Sequence, residues 1–252
     1  GVWHDAEPFT NLEKKVPRFM SEFGFQSLPE MSTIKKFAQV SDLSLDSDVM
    51  KSHQKHARGN ALILEYMERD YPIPNSFDKL VYASQILQAE GMRIGLEAHR
   101  RSQPYCMGTL YWQFNDCWPV ASWSSRDYYG NWKALNYAVQ DVFAPLALSI
   151  YSLDDEGIYI TAMSELLHDV VDTLEISVYD WNGNLEYLHQ QKVIVESNTS
   201  TILKSDFSEF GDSNLVVASL KSNQILSKTW RSFSFKDVLL PEPTIEYNWK
   251  GN

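Results

Sequence analysis

The spacing of apolar residues changes near residue 143, and this change limits the folds open to the chain. Before it, two short apolar runs at 18–26 and 108–114 are separated by long stretches with apolar residues at helical spacing. After it, about seven short segments with partial alternation follow one another, which is typical of antiparallel strands. The sequence therefore predicts an α/β region followed by an all-β region.

Helices are predicted between the two apolar runs and after the second. They cover 29–38, 47–69, 76–101 and 132–142. Ser76 is suited to cap the third helix, and the two prolines of Tyr71-Pro72-Ile73-Pro74 end the second. Strand, long helical excursion, strand and helix is the order at the end of a (β/α)8 barrel, which needs eight strands to close. Residues 1–142 are predicted to be the C-terminal part of such a barrel, because a complete two-stranded unit would leave exposed edges; a different small α/β unit is the alternative.

The second region is predicted to form an immunoglobulin-like antiparallel β-sandwich. Its predicted strands are 146–153, 157–164, 173–181, 185–195, 199–205, 214–221 and 225–235. An Asn-Gly turn at Asn182-Gly183 lies between two of them and is a strong hairpin signal. Seven short strands at this spacing are typical of a sandwich. The predicted domains are the incomplete barrel at 1–142, the sandwich at 143–240 and a linker or tail at 241–252.

Composition narrows the class of partner. A net charge of -11 argues against nucleic acid and against an anionic membrane surface, and leaves neutral or cationic ligands open. No apolar run approaches the ~20 residues that a transmembrane helix needs. The 8 Trp and 13 Tyr suit sugar faces as well as protein cores. Cys106 and Cys117 are too far apart along an extended strand to form a disulfide, so free thiols are expected.

Glu22 stands out because aromatic residues and Met flank it in a run predicted to be a buried strand. Burying an ionised carboxylate costs several kcal/mol unless it is paired or hydrogen-bonded. Two interpretations follow: an ion pair, for instance with Arg18, or a catalytic group at a strand end. The residues alone favour the structural interpretation.

Trp112 lies near the end of the second predicted strand and is followed by Asn115 and Asp116. A tryptophan at a barrel rim could stack on a sugar ring, and the two polar residues could bond hydroxyl groups. A packed tryptophan and an Asx-type turn explain the same residues equally well.

His53 and His56 are three residues apart on a predicted helix and could touch one metal ion. They lack the Glu and the spacing of the HExxH pattern and lie in a polar stretch. A solvated helix face is the favoured interpretation, and no metal site is predicted.

Two segments together resemble the β-mannosidases of glycoside hydrolase family 2. They are RFMSEFGFQSLPE (18–30) and GTLYWQFNDCWPVASWSSRDYYGNWKALNYA (108–138). The resemblance covers residues 1–142 well and thins in the sandwich. It implies that Glu22 is the nucleophile at the end of the seventh barrel strand and that Trp112 lines the −1 sugar subsite. It also implies that Trp3 and His4 lie near the substrate pocket, where His4 or Asn115 would bond sugar hydroxyls.

The resemblance implies the C-terminal part of a retaining exo-β-mannosidase that removes terminal non-reducing β-D-mannosyl residues from oligosaccharides or glycans. The acid/base Glu of such enzymes lies in an Asn-Glu pair, which does not occur here, so it is expected in a missing N-terminal part that contacts this chain. The partner is a carbohydrate substrate, and no cofactor is implied. A secreted, periplasmic or lysosomal location follows only by analogy. The alternatives are a related β-galactosidase or β-glucuronidase, or a non-catalytic carbohydrate-binding or interaction module.

Overall fold

The computed structural model describes residues 7–153, 157–211, 213–222, 226–232, 234–238 and 244–249. Residues 7–142 form a helix-rich half. Its elements in chain order are α1 (Asn11–Lys14), β1 (Met20–Phe23), α2 (Met31–Ile34), a 3-10 turn (Val40–Asp42), α3 (Asp48–Ser52), α4 (Gly59–Asp70), α5 (Phe77–Arg101), β2 (Thr109–Tyr111) and α6 (Ala134–Val142). Both predicted strands of this half exist but are shorter than predicted.

From residue 146 onward the chain forms a sheet half. Its strands are β3 (Leu146–Tyr151), β4 (Ile158–Ser164), β5 (Val170–Tyr179), β6 (Leu185–Val195), β7 (Ser200–Phe207), β8 (Leu215–Leu220) and β9 (Ser227–Trp230), followed by a 3-10 turn (Phe235–Asp237). Six of the seven strands predicted for this region are confirmed to within three residues at each end, and the seventh, predicted over 225–235, spans only Ser227–Trp230 among the described residues. Residues 244–249, in the predicted tail, have no regular secondary structure and are exposed.

The helix-rich half is organised around α5, a helix of 25 residues. One buried face includes Leu80, Leu87 and Gly91, whose spacings of seven and four residues place them on the same side of the helix. This face joins an apolar core beneath the two-stranded sheet, where the Phe9, Phe25 and Tyr66 rings lie with centroids 4.8–4.9 Å apart. β1 and β2 are adjacent and parallel, and the helices lie in the chain segment that connects them. Packing of these helices in the core therefore helps to fix the ends of the two strands relative to each other.

Two helix predictions need correction. Ser76 stands at the N-cap position of α5, but its side chain makes no capping hydrogen bond. The single helix predicted over 47–69 is broken between α3 and α4. Ser47 caps α3 by accepting a hydrogen bond from Met50 N (3.1 Å), and the backbone then turns to pair with Ala121, whose N–H donates to His53 O (2.8 Å). Tertiary hydrogen bonds therefore override helical spacing here.

The sheet half contains two antiparallel sheets, ordered β3-β4-β7 and β6-β5-β8-β9. Side chains from both sheets meet in one apolar core, for instance Ile160 of β4 and Ile176 of β5. The predicted hairpin is present: Gly183, with φ +84°, donates its N–H to Asp180 O (3.1 Å) between β5 and β6. The fold thus combines helices and one parallel strand pair with two antiparallel sheets.

The cysteine prediction is confirmed, since Cys106 and Cys117 are both free thiols, the first buried and the second exposed. Within the described ranges, no helix is both long enough and apolar enough to traverse a bilayer.

Candidate active site

The strand pairing brings the segments carrying Glu22 and Trp112 together. β1 and β2 run parallel, with Met20 opposite Thr109 and Phe23 opposite Tyr111. One residue further on, the Trp112 N–H donates a 2.8 Å hydrogen bond to Phe23 O. Since carboxyl ends of adjacent parallel strands lie at one edge of a sheet, Glu22 and Trp112 stand at the same edge.

The side chain of Glu22 is exposed, which corrects the prediction of a buried strand. Met20 and Phe23 are half-buried, whereas Ser21 and Glu22 face solvent. The physical reason is that β1 has a neighbouring strand on one side alone within the described part of the chain. An exposed carboxylate keeps its hydration, so Glu22 does not need an ion-pair partner to offset a cost of burial. Among the described residues no ion pair joins Glu22 to Arg18, whose guanidinium lies 5.6 Å from the Tyr105 ring centroid.

Gly24 allows the close approach of β1 to the chain after β2. A β-carbon at position 24 would overlap the carbonyl oxygen of Trp112 and would stand 3.0 Å from Trp123 Cδ1. Sequence reasoning assigned Gly24 to a backbone bend or to the approach of a ligand. The atoms that occupy this space belong to the protein's own backbone and tryptophan side chain.

His99 supports the site from below and was missed by the sequence analysis. Its ring packs edge-on against Phe23, with centroids 5.0 Å apart, and its Nδ1 lies 2.9 Å from Thr109 Oγ1. Burial lowers the pKa of His99 to about 4, with a smaller contribution from Arg101. A neutral imidazole therefore links α5 to both strands at neutral pH. A histidine in a helical run carries no sequence signal for this role.

Trp112 begins a loop whose backbone is hydrogen-bonded to two later segments. Gln113 N donates to Trp123 O (3.1 Å), and Arg126 N donates to Phe114 O (2.9 Å). Trp112 is 48% exposed, so its ring is accessible, in contrast to the packed alternative. Asn115 is also exposed, and its carbonyl accepts a 2.6 Å hydrogen bond from Gln113 Nε2. Its side chain remains available for a hydroxyl contact.

Asp116 turns away from solvent into a buried polar cluster. Its Oδ2 accepts hydrogen bonds from Ser122 Oγ (2.8 Å) and Ser124 Oγ (2.6 Å), and its Oδ1 lies 3.0 Å from Lys55 Nζ. Because only 6% of Asp116 is exposed, these contacts leave it no access to a sugar. Asp116 therefore holds the loop in shape through these side-chain contacts, which favours a structural role over the hydroxyl-binding one.

Lys133 is buried beneath this loop and was also missed. Its Nζ lies 3.2 Å from Ser122 O and 3.4 Å from Ser27 O, the two residues that bridge the loop to the chain after β1. Burial lowers the pKa of Lys133 to about 7, an effect opposed by the charges of Asp116 and Asp127. Lysines are ordinarily exposed, so nothing in the sequence indicated that Lys133 is buried.

The solvated face predicted for His53 and His56 is wrong for His53. Its ring stacks on Phe37, with centroids 3.8 Å apart and planes 4° from parallel, and Nδ1 lies 2.5 Å from Pro119 O. This histidine packs between helix and loop instead of facing water. No group of three His, Cys, Asp or Glu side chains suited to a metal ion occurs in the described residues. Trp3 and His4 lie outside those residues, so their assignment to the site remains a prediction.

A cavity of about 820 Å³ lies away from Glu22, between the helix-rich and sheet halves. Its wall includes Arg93, which makes two hydrogen bonds to Glu90 (3.0 and 2.8 Å) and one to Glu97 (2.9 Å). Glu97 also contacts Lys228 of β9 at 2.6 Å and accepts from Ser149 Oγ of β3 at 2.8 Å. These charged groups are paired with one another across the two halves. We therefore interpret the cavity as part of the interface between the halves.

Comparison with known proteins gives the same family from sequence and from structure. Residues 156–236 match the Mannosidase Ig/CBM-like domain family. The β-mannosidase of Capra hircus is 36% identical over 179 residues, which are 66% of this chain and 20% of that protein. β-Mannosidase B of Aspergillus flavus is 30% identical over 224 residues, 81% of this chain and 26% of that protein.

Solved structures also include a β-mannosidase among the proteins similar to this chain. The β-D-mannosidase of Dictyoglomus thermophilum matches with a TM-score of 0.90 and 28% identity, over 95% of this chain and 30% of that one. An exo-chitosanase of Amycolatopsis orientalis shares the fold at a TM-score of 0.74 and 18% identity, over 88% of this chain and 29% of that one. The chain thus spans about a fifth to a third of the length of these proteins.

Proposed function

Because this chain belongs with the β-mannosidases of glycoside hydrolase family 2, we propose that it is the C-terminal part of a retaining exo-β-mannosidase. In this proposal the helix-rich half contributes the last two strands of a (β/α)8 barrel, and the sheet half is an immunoglobulin-like sandwich. The observation that carries the proposal is the Trp112–Phe23 backbone hydrogen bond, which sets Glu22 and an exposed tryptophan at one strand edge. In a barrel this carboxyl edge is the catalytic face.

The proposed reaction has two steps. A carboxylate oxygen of Glu22 attacks the anomeric carbon of a terminal β-mannosyl unit, the glycosidic C–O bond breaks, and an acid protonates the leaving oxygen. Then the same group, as base, takes a proton from water, whose oxygen attacks the anomeric carbon and releases Glu22. That acid/base is a Glu from outside this chain, about 5–5.5 Å from Glu22.

The exposure of Glu22 supports this role, because a nucleophile must reach substrate. In the proposal Trp112 supplies an apolar surface for the sugar, and Asn115 bonds a hydroxyl. Within the same enzyme class, a β-galactosidase or β-glucuronidase would use the same two elements. Comparing hydrolysis of aryl β-mannoside, β-galactoside and β-glucuronide by the full-length protein distinguishes the three enzymes. Mannose is favoured because the relatives from Capra hircus and Dictyoglomus thermophilum are β-mannosidases.

The test is Glu22→Gln in the full-length protein. We expect hydrolysis of an aryl β-mannoside to fall by about 10³-fold or more, with an unchanged melting temperature. Glu68→Gln, an exposed position on α4, is the matched control and should keep full activity. Wild-type-like turnover by the Glu22 variant would refute the assignment. The isolated 252-residue chain, which lacks the acid/base, should be inactive.

A further inference from the structure

A rigid aromatic platform lies beside the proposed catalytic edge, formed by Phe114, Trp132 and Arg126. The two rings approach edge-on with centroids 6.0 Å apart, and the Arg126 guanidinium lies 4.8 Å from the Trp132 ring centroid. Both rings are open to solvent, Phe114 at 53% and Trp132 at 41% exposed. Large apolar rings grouped and exposed in this way mark a binding surface.

The backbone holds the three side chains in register. Arg126 N donates to Phe114 O (2.9 Å), Arg126 forms an antiparallel bridge with Trp132, and Lys133 N donates to Ser125 O (2.9 Å). Three adjacent segments of chain therefore present one residue each to the platform. The spacing between the three side chains is therefore set by backbone hydrogen bonds.

The turn between Arg126 and Trp132 is fixed as well. Asp127 Oδ1 accepts from the backbone N–H groups of Tyr129 (3.1 Å) and Asn131 (2.9 Å), and its Oδ2 accepts from Thr33 Oγ1 (2.6 Å). Because Asp127 is only 2% exposed, these hydrogen bonds are sheltered from water. The platform is thus preorganised, which lowers the entropy lost when a ligand binds.

We propose that this platform is a subsite for the sugar ring of the leaving group. Continuity supports it, because Phe114 is two residues beyond Trp112 and belongs to the loop that carries that residue. Chemistry supports it too: apolar ring faces match the C–H face of a pyranose, and a guanidinium fork donates hydrogen bonds to its hydroxyls. A neutral ligand also suits a chain with a net charge of -11. This inference rests on the proposed function and extends it to the aglycone.

The test compares two substrates in the full-length protein. β-1,4-Mannobiose has a sugar as leaving group, whereas β-mannosyl fluoride has no ring there. For Trp132→Ala we expect kcat/KM for mannobiose to fall about three- to ten-fold, the size of one aromatic contact, with the fluoride unchanged. Trp132→Phe should recover part of the loss. Tyr137→Ala, which removes another exposed ring from α6, should alter neither substrate.

Each outcome decides the matter. Equal losses on both substrates would overturn the subsite and assign the rings to packing against another part of the protein. Unchanged kinetics on both would also overturn it, provided the melting temperature shows a folded variant. A wild-type protein that hydrolyses neither substrate would refute the proposed function itself, so the two failures are distinguishable.

Discussion

Gly24 packs so closely on the carbonyl of Trp112 that a β-carbon at position 24 would overlap that oxygen. Gly24→Ala must therefore push the Trp112 backbone away from β1. We expect a loss of about 1–3 kcal/mol in the free energy of unfolding, typical of overpacking. We also expect at least a tenfold loss of kcat/KM in the full-length protein, because small misplacements at a catalytic edge are costly.

Gly211→Ala is the matched control for this substitution. The nearest atom to a β-carbon there is Asn214 Oδ1 at 3.3 Å, and the position lies in the sheet half. Kinetics and urea denaturation of both variants, side by side, check the prediction. If Gly24→Ala and Gly211→Ala behaved alike, the close approach at Gly24 would have no bearing on activity.

Lys228 is expected to stabilise the contact between the two halves. It reaches from β9 to Glu97 of α5 at 2.6 Å, and the side chains are only 10% and 2% exposed. Removing one partner of a buried ion pair leaves the other charge desolvated, so Lys228→Met should cost about 3 kcal/mol. The urea denaturation midpoint measures this change.

The control is Lys221→Met, which breaks an ion pair of equal length with Glu175. Here the lysine side chain is 46% exposed. An exposed pair is worth about 1 kcal/mol or less, so this variant should remain close to wild type. A loss at Lys228 no larger than at Lys221 would show that burial does not strengthen the contact between the halves.

Lys133 should make stability depend on pH above neutrality. Burial lowers the pKa of Lys133 from 10.5 to about 7, so between these values the unfolded chain binds a proton that the folded chain does not. The free energy of unfolding must then rise with pH in this window, by at most about 1.4 kcal/mol per pH unit. We restrict the measurement to pH 7–9.5, because the buried Tyr66 and the half-buried Tyr71, with pKa values raised to about 12, contribute at higher pH.

Denaturant midpoints at several pH values, for wild type and for Lys133→Met, check this prediction. The Lys133 variant should show a shallower slope, since its side chain cannot titrate. Lys192→Met, at an exposed position on β6, should keep the wild-type slope. An identical slope in all three proteins would contradict the assignment.

Local signals predicted the sheet half well. Short alternating runs and the Asn-Gly pair define its strands and one hairpin, because alternation and turn chemistry are properties of neighbouring residues. Local sequence also singled out two site residues: Glu22 by the apolar residues that flank it, and Trp112 by its place near the end of an apolar run. The spacing of apolar residues does not predict which strand ends lie side by side. Here the ends of β1 and β2 are joined by the Trp112–Phe23 hydrogen bond.

The errors share one cause. The chain breaks helical spacing at His53 because Ala121, far along the sequence, bonds to its backbone. Lys133 and His99 read as ordinary helix residues, yet both are buried by segments that the sequence does not mark. Glu22 was expected to be buried because its neighbours are apolar, although burial depends on the strands beside β1. Contacts between distant segments decide each of these cases.

Glu97 bonds to its own helix through Arg93, to β3 through Ser149 and to β9 through Lys228. A chain cut near residue 143 would remove two of these three partners and expose a carboxylate that the helix alone cannot satisfy. The halves should consequently melt as one cooperative unit, with a single transition in calorimetry. The sheet half is then an obligate part of the folded state, and recombination that exchanged it for an unrelated domain would have to replace Glu97 at the same time.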